Sequence, residues 1–172
     1  MGLVQVNTET VTTPVASVTL TGIDSDNVYM IAINNLGTSV DNADFYLNYV
    51  KASDSSVDTT ANYVSANKGL YTVATYQNNT QNGQNNLKVM YARGNLTTEK
   101  SNCIIYLYNT FSSSELSFST FEVNGYNYAG YLYGEQGGGV HTVAQSNSGV
   151  NFSWQSAGNL TEGTVLTLYK VI

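Results

Sequence analysis

The chain has 172 residues and a net charge of -6, and its composition is 10% charged and 42% hydrophobic. This length suits one domain with a substantial core, and no stretch of 18 apolar residues is available to cross a membrane. Nucleic-acid binding is disfavoured because it needs clustered cations, whereas the six basic residues are scattered at Lys51, Lys68, Lys88, Arg93, Lys100 and Lys170.

The low charge also says what the surface must be made of. Typical soluble domains are about 25% charged, so here Asn, Ser, Thr, Gln and the 14 tyrosines must cover much of the surface. Such a surface packs readily against neighbours and favours an assembly subunit or a binding protein. The single cysteine, Cys103, cannot form an internal disulfide, and the N-terminus lacks the pattern of a secretory signal. Folding in a reducing cytoplasm is therefore expected.

The first 13 residues are polar and rich in threonine, which predicts an N-terminal arm or edge strand ahead of one domain over residues 14–172. Leu3, Val4 and Val6 are candidate contacts of this arm with a docking partner. Period-two alternation follows from residues 15–23 to the terminal segment. Its spacing predicts an all-β fold, an antiparallel sandwich of about nine or ten strands.

Individual segments carry more detailed predictions. Residues 28–33 and 102–108 are apolar at every position or nearly so, which predicts central strands covered on both faces. Residues 59–66 favour a helical turn, residues 77–86 a long polar loop, and residues 134–139 a glycine-rich bend. The alternating terminal strand is expected to lie beside residues 15–23, and the predicted core includes Met30, Ile105, Leu107, Phe118 and Leu168.

No residue set predicts catalysis or metal binding. His141 is the only histidine, and it has no cluster of His or Cys around it in the sequence. Glu135 stands out among the carboxylates only because glycines follow it. Asp24 and Asp26 offer oxygens to a cation but lack the spacing of an EF-hand loop, so a turn is the preferred interpretation. We therefore expect a protein that is not an enzyme and has no cofactor.

Aromatic residues form the more informative set. Tyr126, Tyr128, Tyr131 and Tyr133 are dense enough to line a groove, and Trp154 is the single tryptophan. Aromatic faces stack on sugar rings and also dominate protein interfaces. These five residues are the candidate glycan- or partner-binding site, with packing in a core or subunit interface as the alternative.

Four phrases of the sequence carry a resemblance to a known group of proteins. Taken in order along the chain, they resemble small virion proteins from tailed phages of marine bacteria. The phrases are VASVTLTGI at 15–23, VYMIAI at 28–33, GEQGGGVHTV at 134–143 and SAGNLTEGTVLTLYKVI at 156–172.

The resemblance implies a jelly-roll-like sandwich made in the host cytoplasm and located on the virion. It implies a homo-oligomer, a trimer, that contacts other virion proteins such as the major capsid or tail proteins. A capsid decoration or cement protein is the expected role, because the chain has one compact domain with a short arm. The alternative is a tail-fibre or receptor-binding, lectin-like module that recognises host glycans.

Overall fold

A computed structural model describes residues 2–73 and 76–172, and the fold is an all-β sandwich of two antiparallel sheets. The predicted fold class is confirmed, but the described residues form twelve strands rather than nine or ten. The strands are β1 (Leu3–Thr10), β2 (Ser17–Thr21), β3 (Tyr29–Leu36), β4 (Ala43–Lys51), β5 (Tyr63–Tyr71), β6 (Gln77–Gln84), β7 (Leu87–Arg93), β8 (Ser101–Tyr108), β9 (Ser117–Gly125), β10 (Tyr133–His141), β11 (Asn147–Trp154) and β12 (Val165–Val171).

The strand order shows a jelly roll with two added hairpins. One sheet has eight strands in the order β1-β12-β3-β8-β9-β10-β5-β6, and the other has four in the order β2-β11-β4-β7. Without the β5–β6 and β9–β10 hairpins, two sheets of four strands face each other, as in an eight-stranded jelly roll. The hairpins therefore widen only one sheet.

The hairpins explain the undercount. The predicted loop at residues 77–86 is mostly β6, and the predicted helical turn at 59–66 runs into β5. Asn and Gln give no hydrophobic alternation, and β6 is exposed on most positions of both faces, so only its ladder to β5 defines it. The alternation of residues 69–76 also predicts a strand, but β5 ends at Tyr71, and positions 74 and 75 lie outside the described residues.

The predicted bend at 134–139 is likewise wrong, because these residues belong to β10 and pair on both sides with β5 and β9. Gly137 to Gly139 are held by two ladders rather than by side-chain packing, which sequence periodicity does not detect. The alternating residues 126–132 instead form a loop, closed by a bridge between Tyr126 and Leu132.

The terminal strand β12 lies inside the eight-stranded sheet, between β1 and β3. The expected pairing with residues 15–23 is wrong, because β2 pairs with β11 in the opposite sheet. The N-terminal strand β1 is the partner of β12 instead: it pairs with the edge of β12 that faces away from β3, and Ile172 N–H donates to Gly2 O at 3.0 Å.

The core lies between the two sheets and includes Ile105, Leu107 and Leu168, as predicted. Met30 and Phe118 were assigned wrongly, because both point to the other face of the large sheet. The predicted cover on both faces of β8 is also wrong: Ile104 and Tyr106 on its outer face are 44% and 38% exposed. Apolar residues on both faces of β3 and β8 left the choice of inner face ambiguous in the sequence.

Candidate functional site

The loop between β9 and β10 presents three of the predicted tyrosines. Tyr126, Tyr128 and Tyr131 are 44%, 49% and 42% exposed. No partner for their hydroxyl groups is found among the described residues, so both the ring faces and the hydroxyls can meet a second molecule.

Asn127 holds this loop in shape from within. Its side chain is buried, its Oδ1 accepts the backbone N–H groups of Ala129 and Tyr131 at 3.1 and 3.0 Å, and its Nδ2 donates to Tyr71 Oη at 2.9 Å. The turn needs a left-handed residue, which Gly130 supplies with φ of 74°. Local side-chain hydrogen bonds of this kind fix an Asn-centred turn.

The loop is also tied to the body of the sandwich. Tyr128 N–H donates to Ala92 O at 3.0 Å, and Arg93 forms a bridge with Asn127. Two exposed leucines lie at the same end of the sandwich: Leu132 within this loop, and Leu96 on the β7–β8 loop, since Ser101 at the start of β8 pairs with Gly125 at the end of β9. We call these five residues, Tyr126, Tyr128, Tyr131, Leu132 and Leu96, the tyrosine end.

Tyr133 and Trp154 do not join this surface. Tyr133 is buried under β5, with its ring 5.4 Å from that of Tyr71. Trp154 is buried against Phe45, and its indole N–H donates to Gly37 O at 3.2 Å. Both side chains lie on the core side of their strands, so they stabilise the fold and cannot stack on a ligand.

The predicted docking arm is divided between surface and core. Leu3 and Val4 are exposed, whereas Val6 packs against the core. They belong to β1, whose inner edge is paired with β12. The arm is therefore an integrated edge strand, and Leu3 and Val4 are the residues it offers to a neighbour.

The outer face of the large sheet carries two adjoining depressions that sequence reasoning missed. Their volumes are about 400 and 510 Å³, and they share Ile104, Glu122 and Gln136. They form one continuous trough across β3, β8, β9 and β10, which we call the outer groove. The described residues place no further layer over it. The apolar positions on both faces of β3 and β8 were the sequence signal for such a surface.

Glu135 lies in the interior and faces Arg93 in a buried ion pair. Glu135 also accepts Tyr91 N–H at 3.1 Å and Asn67 Nδ2 at 3.2 Å, while Arg93 Nη1 donates to Tyr133 O at 2.9 Å. Burial raises the pKa of Glu135 to about 7, against the opposing effect of Arg93. Both groups are closed off from solvent, so the pair ties β7 to β10 rather than forming a reactive site.

His141 is fully buried, with Nε2 3.2 Å from Asp58 Oδ2. Burial lowers the pKa of His141, which favours the neutral imidazole. Burial would raise the pKa of Asp58, but hydrogen bonds from Thr60 and Gln145 outweigh it and lower that pKa. This pair links the C-terminal end of β10 to the loop between β4 and β5.

The possible cation site at Asp24 is already used by the protein. Asp24 Oδ1 accepts from Lys170 Nζ and from Tyr29 Oη, each at 2.9 Å, and the Lys170 hydrogen bond is the main reason the pKa of Asp24 falls to about 2. Among the described residues, no group of three or more His, Cys, Asp or Glu side chains is arranged to hold a metal ion.

Comparison with known proteins gives no match to any family model and none to a curated protein. Within residues 2–73 and 76–172, no helix has the length and apolar character needed to span a membrane.

Proposed function

We propose that this chain is a virion structural protein that decorates a phage capsid and assembles there as a homo-oligomer. The observation that carries the proposal is the tyrosine end, a preorganised, exposed aromatic surface. The virion setting is supported by the resemblance of the four sequence phrases, and the trimeric state by that resemblance alone.

The composition of the tyrosine end favours a protein partner. Tyrosine is enriched in the buried cores of protein interfaces, while Lys, Glu and Asp are depleted there. The tyrosine end contains three tyrosines and two leucines and no charged residue. Leu96 and Leu132 add aliphatic area that a sugar ring does not need but a protein surface can bury.

Rigidity strengthens the argument. Ordering a loop on binding costs free energy, and a loop already fixed avoids that cost. The hydrogen bonds of Asn127 and the attachment of Tyr128 to Ala92 fix the backbone before any partner arrives. The tyrosine side chains have only two rotatable torsions each to restrict, so little side-chain entropy is lost.

Light scattering at micromolar concentration tests the proposal. A trimer of 18.6 kDa subunits has a mass of 3 × 18.6, or about 56 kDa. We expect this mass for the unmodified chain and a shift to the single-subunit mass for the Tyr128→Ala/Tyr131→Ala variant. Tyr106→Ala is the matched control, because it removes an exposed tyrosine from the outer groove. A monomeric unmodified chain, or equal assembly by all three proteins, would contradict the proposal.

A further inference from the structure

The outer groove combines an aromatic part with a polar part. Tyr106 and Tyr108 point outward from β8, and Phe118 stands beside Tyr108 on β9. Further along the same face, Glu122 on β9 and Gln136 on β10 are register partners. Aromatic and polar side chains thus follow each other along one trough.

The polar part is arranged before any ligand binds. Gln136 Nε2 donates to Glu122 Oε1 at 2.7 Å, and Asn102 Nδ2 donates to Asn124 Oδ1 at 3.3 Å. Each pair leaves further donor and acceptor atoms without a partner among the described residues, including Glu122 Oε2 and Gln136 Oε1. Planar amides and carboxylates fixed in this way can bond to adjacent hydroxyl groups of one ligand.

One glycine faces outward beside this trough. Gly137 lines the larger depression with its backbone, and its missing side chain would face inward against Asn67. The next residue, Gly138, occupies an outward position between Thr120 and Ala66. The missing side chain at Gly138 keeps that part of the surface low. The depressions, at about 400 and 510 Å³, fall within the range of small-molecule sites.

We infer that the outer groove is a binding site for a neutral polysaccharide chain. A pyranose ring has an apolar face that stacks on aromatic side chains and hydroxyl groups that need fixed polar partners. The groove offers both, and its length across four strands suits a chain of several sugars. Glu122 is the one charged side chain directed outward in its described lining. The cation beside the groove, Lys68, is the register partner of Gln136 and lies over the ring of Tyr76 at 4.4 Å, so the lining itself favours a neutral chain over an anionic one.

This inference is independent of the tyrosine end. The groove lies on a sheet face, whereas the tyrosine end lies on two loops at one end of the sandwich, and the two surfaces share no residue. A chain that does not oligomerise through the tyrosine end could still bind polysaccharide in the groove. A groove that binds no polysaccharide would leave the oligomer interface unaffected.

The test is binding of the full chain to immobilised dextran, mannan and galactan, with heparin as the anionic comparison. We expect saturable binding to at least one neutral polysaccharide, reduced at least tenfold by Tyr106→Ala and by Gln136→Ala. Val143→Ala, at an exposed position outside both surfaces, should bind like the unmodified chain. Because these side chains are exposed, thermal unfolding should stay unchanged, and Gln136→Ala provides a second variant should Tyr106→Ala misfold.

Four outcomes would overturn the inference. One is the absence of binding to all three neutral polysaccharides, and another is binding to heparin alone. The third is polysaccharide binding that survives both groove substitutions. Conversion of the oligomer to monomers by Tyr106→Ala would instead show that a second copy of the chain covers this face, which also overturns it.

Discussion

Replacing Arg93 by methionine should destabilise the protein strongly and in a pH-dependent way. Arg93 is 1% exposed and pairs with Glu135, which is 2% exposed. Removing one partner of a buried ion pair leaves an uncompensated charge and costs about 3–5 kcal/mol. The free energy of unfolding of single domains is about 5–15 kcal/mol, so this substitution should remove a large part of the stability.

The pH dependence follows from Glu135. Without Arg93, its carboxylate keeps only neutral donors, from Tyr91 N–H and Asn67 Nδ2, and protonation relieves the buried charge. The cost of Arg93→Met should therefore be greatest at pH 8 and smaller at pH 5. Even in the unmodified chain, the folded pKa of about 7 lies above the ordinary 4.5. The stability contributed by this acid is thus complete below pH 4.5 and is lost as the pH rises through 7.

Urea unfolding followed through the fluorescence of Trp154 provides the assay, because this single tryptophan is buried. Lys51→Met is the control, since the Lys51–Asp54 pair is largely exposed and should change stability by less than about 1 kcal/mol. The double variant Arg93→Met/Glu135→Gln should recover part of the loss, because it removes the stranded charge. A loss below about 1 kcal/mol at pH 8, or the same loss at pH 5 and pH 8, would refute the reasoning.

Two further predictions concern folding and the second buried pair. Deleting residues 164–172 should abolish cooperative unfolding, because β12 separates β1 from β3 and supplies Leu166 and Leu168 to the core; a cooperative melt of the truncated chain would contradict this. His141 binds a proton less readily in the folded protein than in the unfolded chain. The stability that it contributes should therefore be lost as the pH falls from about 6.5 toward its lowered pKa. His141→Phe should remove this loss in urea titrations between pH 7 and pH 5, and an unchanged acid-side slope would refute its origin.

The sequence was most informative where one strand face was buried. In β12, Leu166 and Leu168 alternate with less buried residues, and hydrophobic burial selects that register. The same logic failed for β3, where both faces are apolar and Met30 was placed in the core, and for β9, where Phe118 and Phe121 point to opposite faces. A two-layer sandwich buries only one face of each sheet, so the outer face of the large sheet stays at the surface although it carries apolar residues such as Ile104.

The sequence identified three of the four tyrosines that it grouped as an exposed surface, but it missed the turn that separates the fourth. The density of tyrosines in residues 126–133 predicted a single groove lining, which grouped Tyr133 with Tyr126, Tyr128 and Tyr131. Asn127 instead turns the chain into a loop, so three tyrosines are exposed and Tyr133 begins a buried strand. The outer groove could not be assembled from sequence, because Glu122 and Gln136 meet only through the β9–β10 register.

We propose that this chain is a capsid decoration protein that uses the tyrosine end as an interface. This proposal places the gene in a phage genome, and its most direct test is a cryo-electron microscopy reconstruction of that phage's particle. We predict copies distributed over the capsid lattice, with Tyr126, Tyr128 and Tyr131 buried against a neighbouring subunit. Absence from the particle, confinement to the distal tail, or a tyrosine end facing solvent in every copy would contradict the claim.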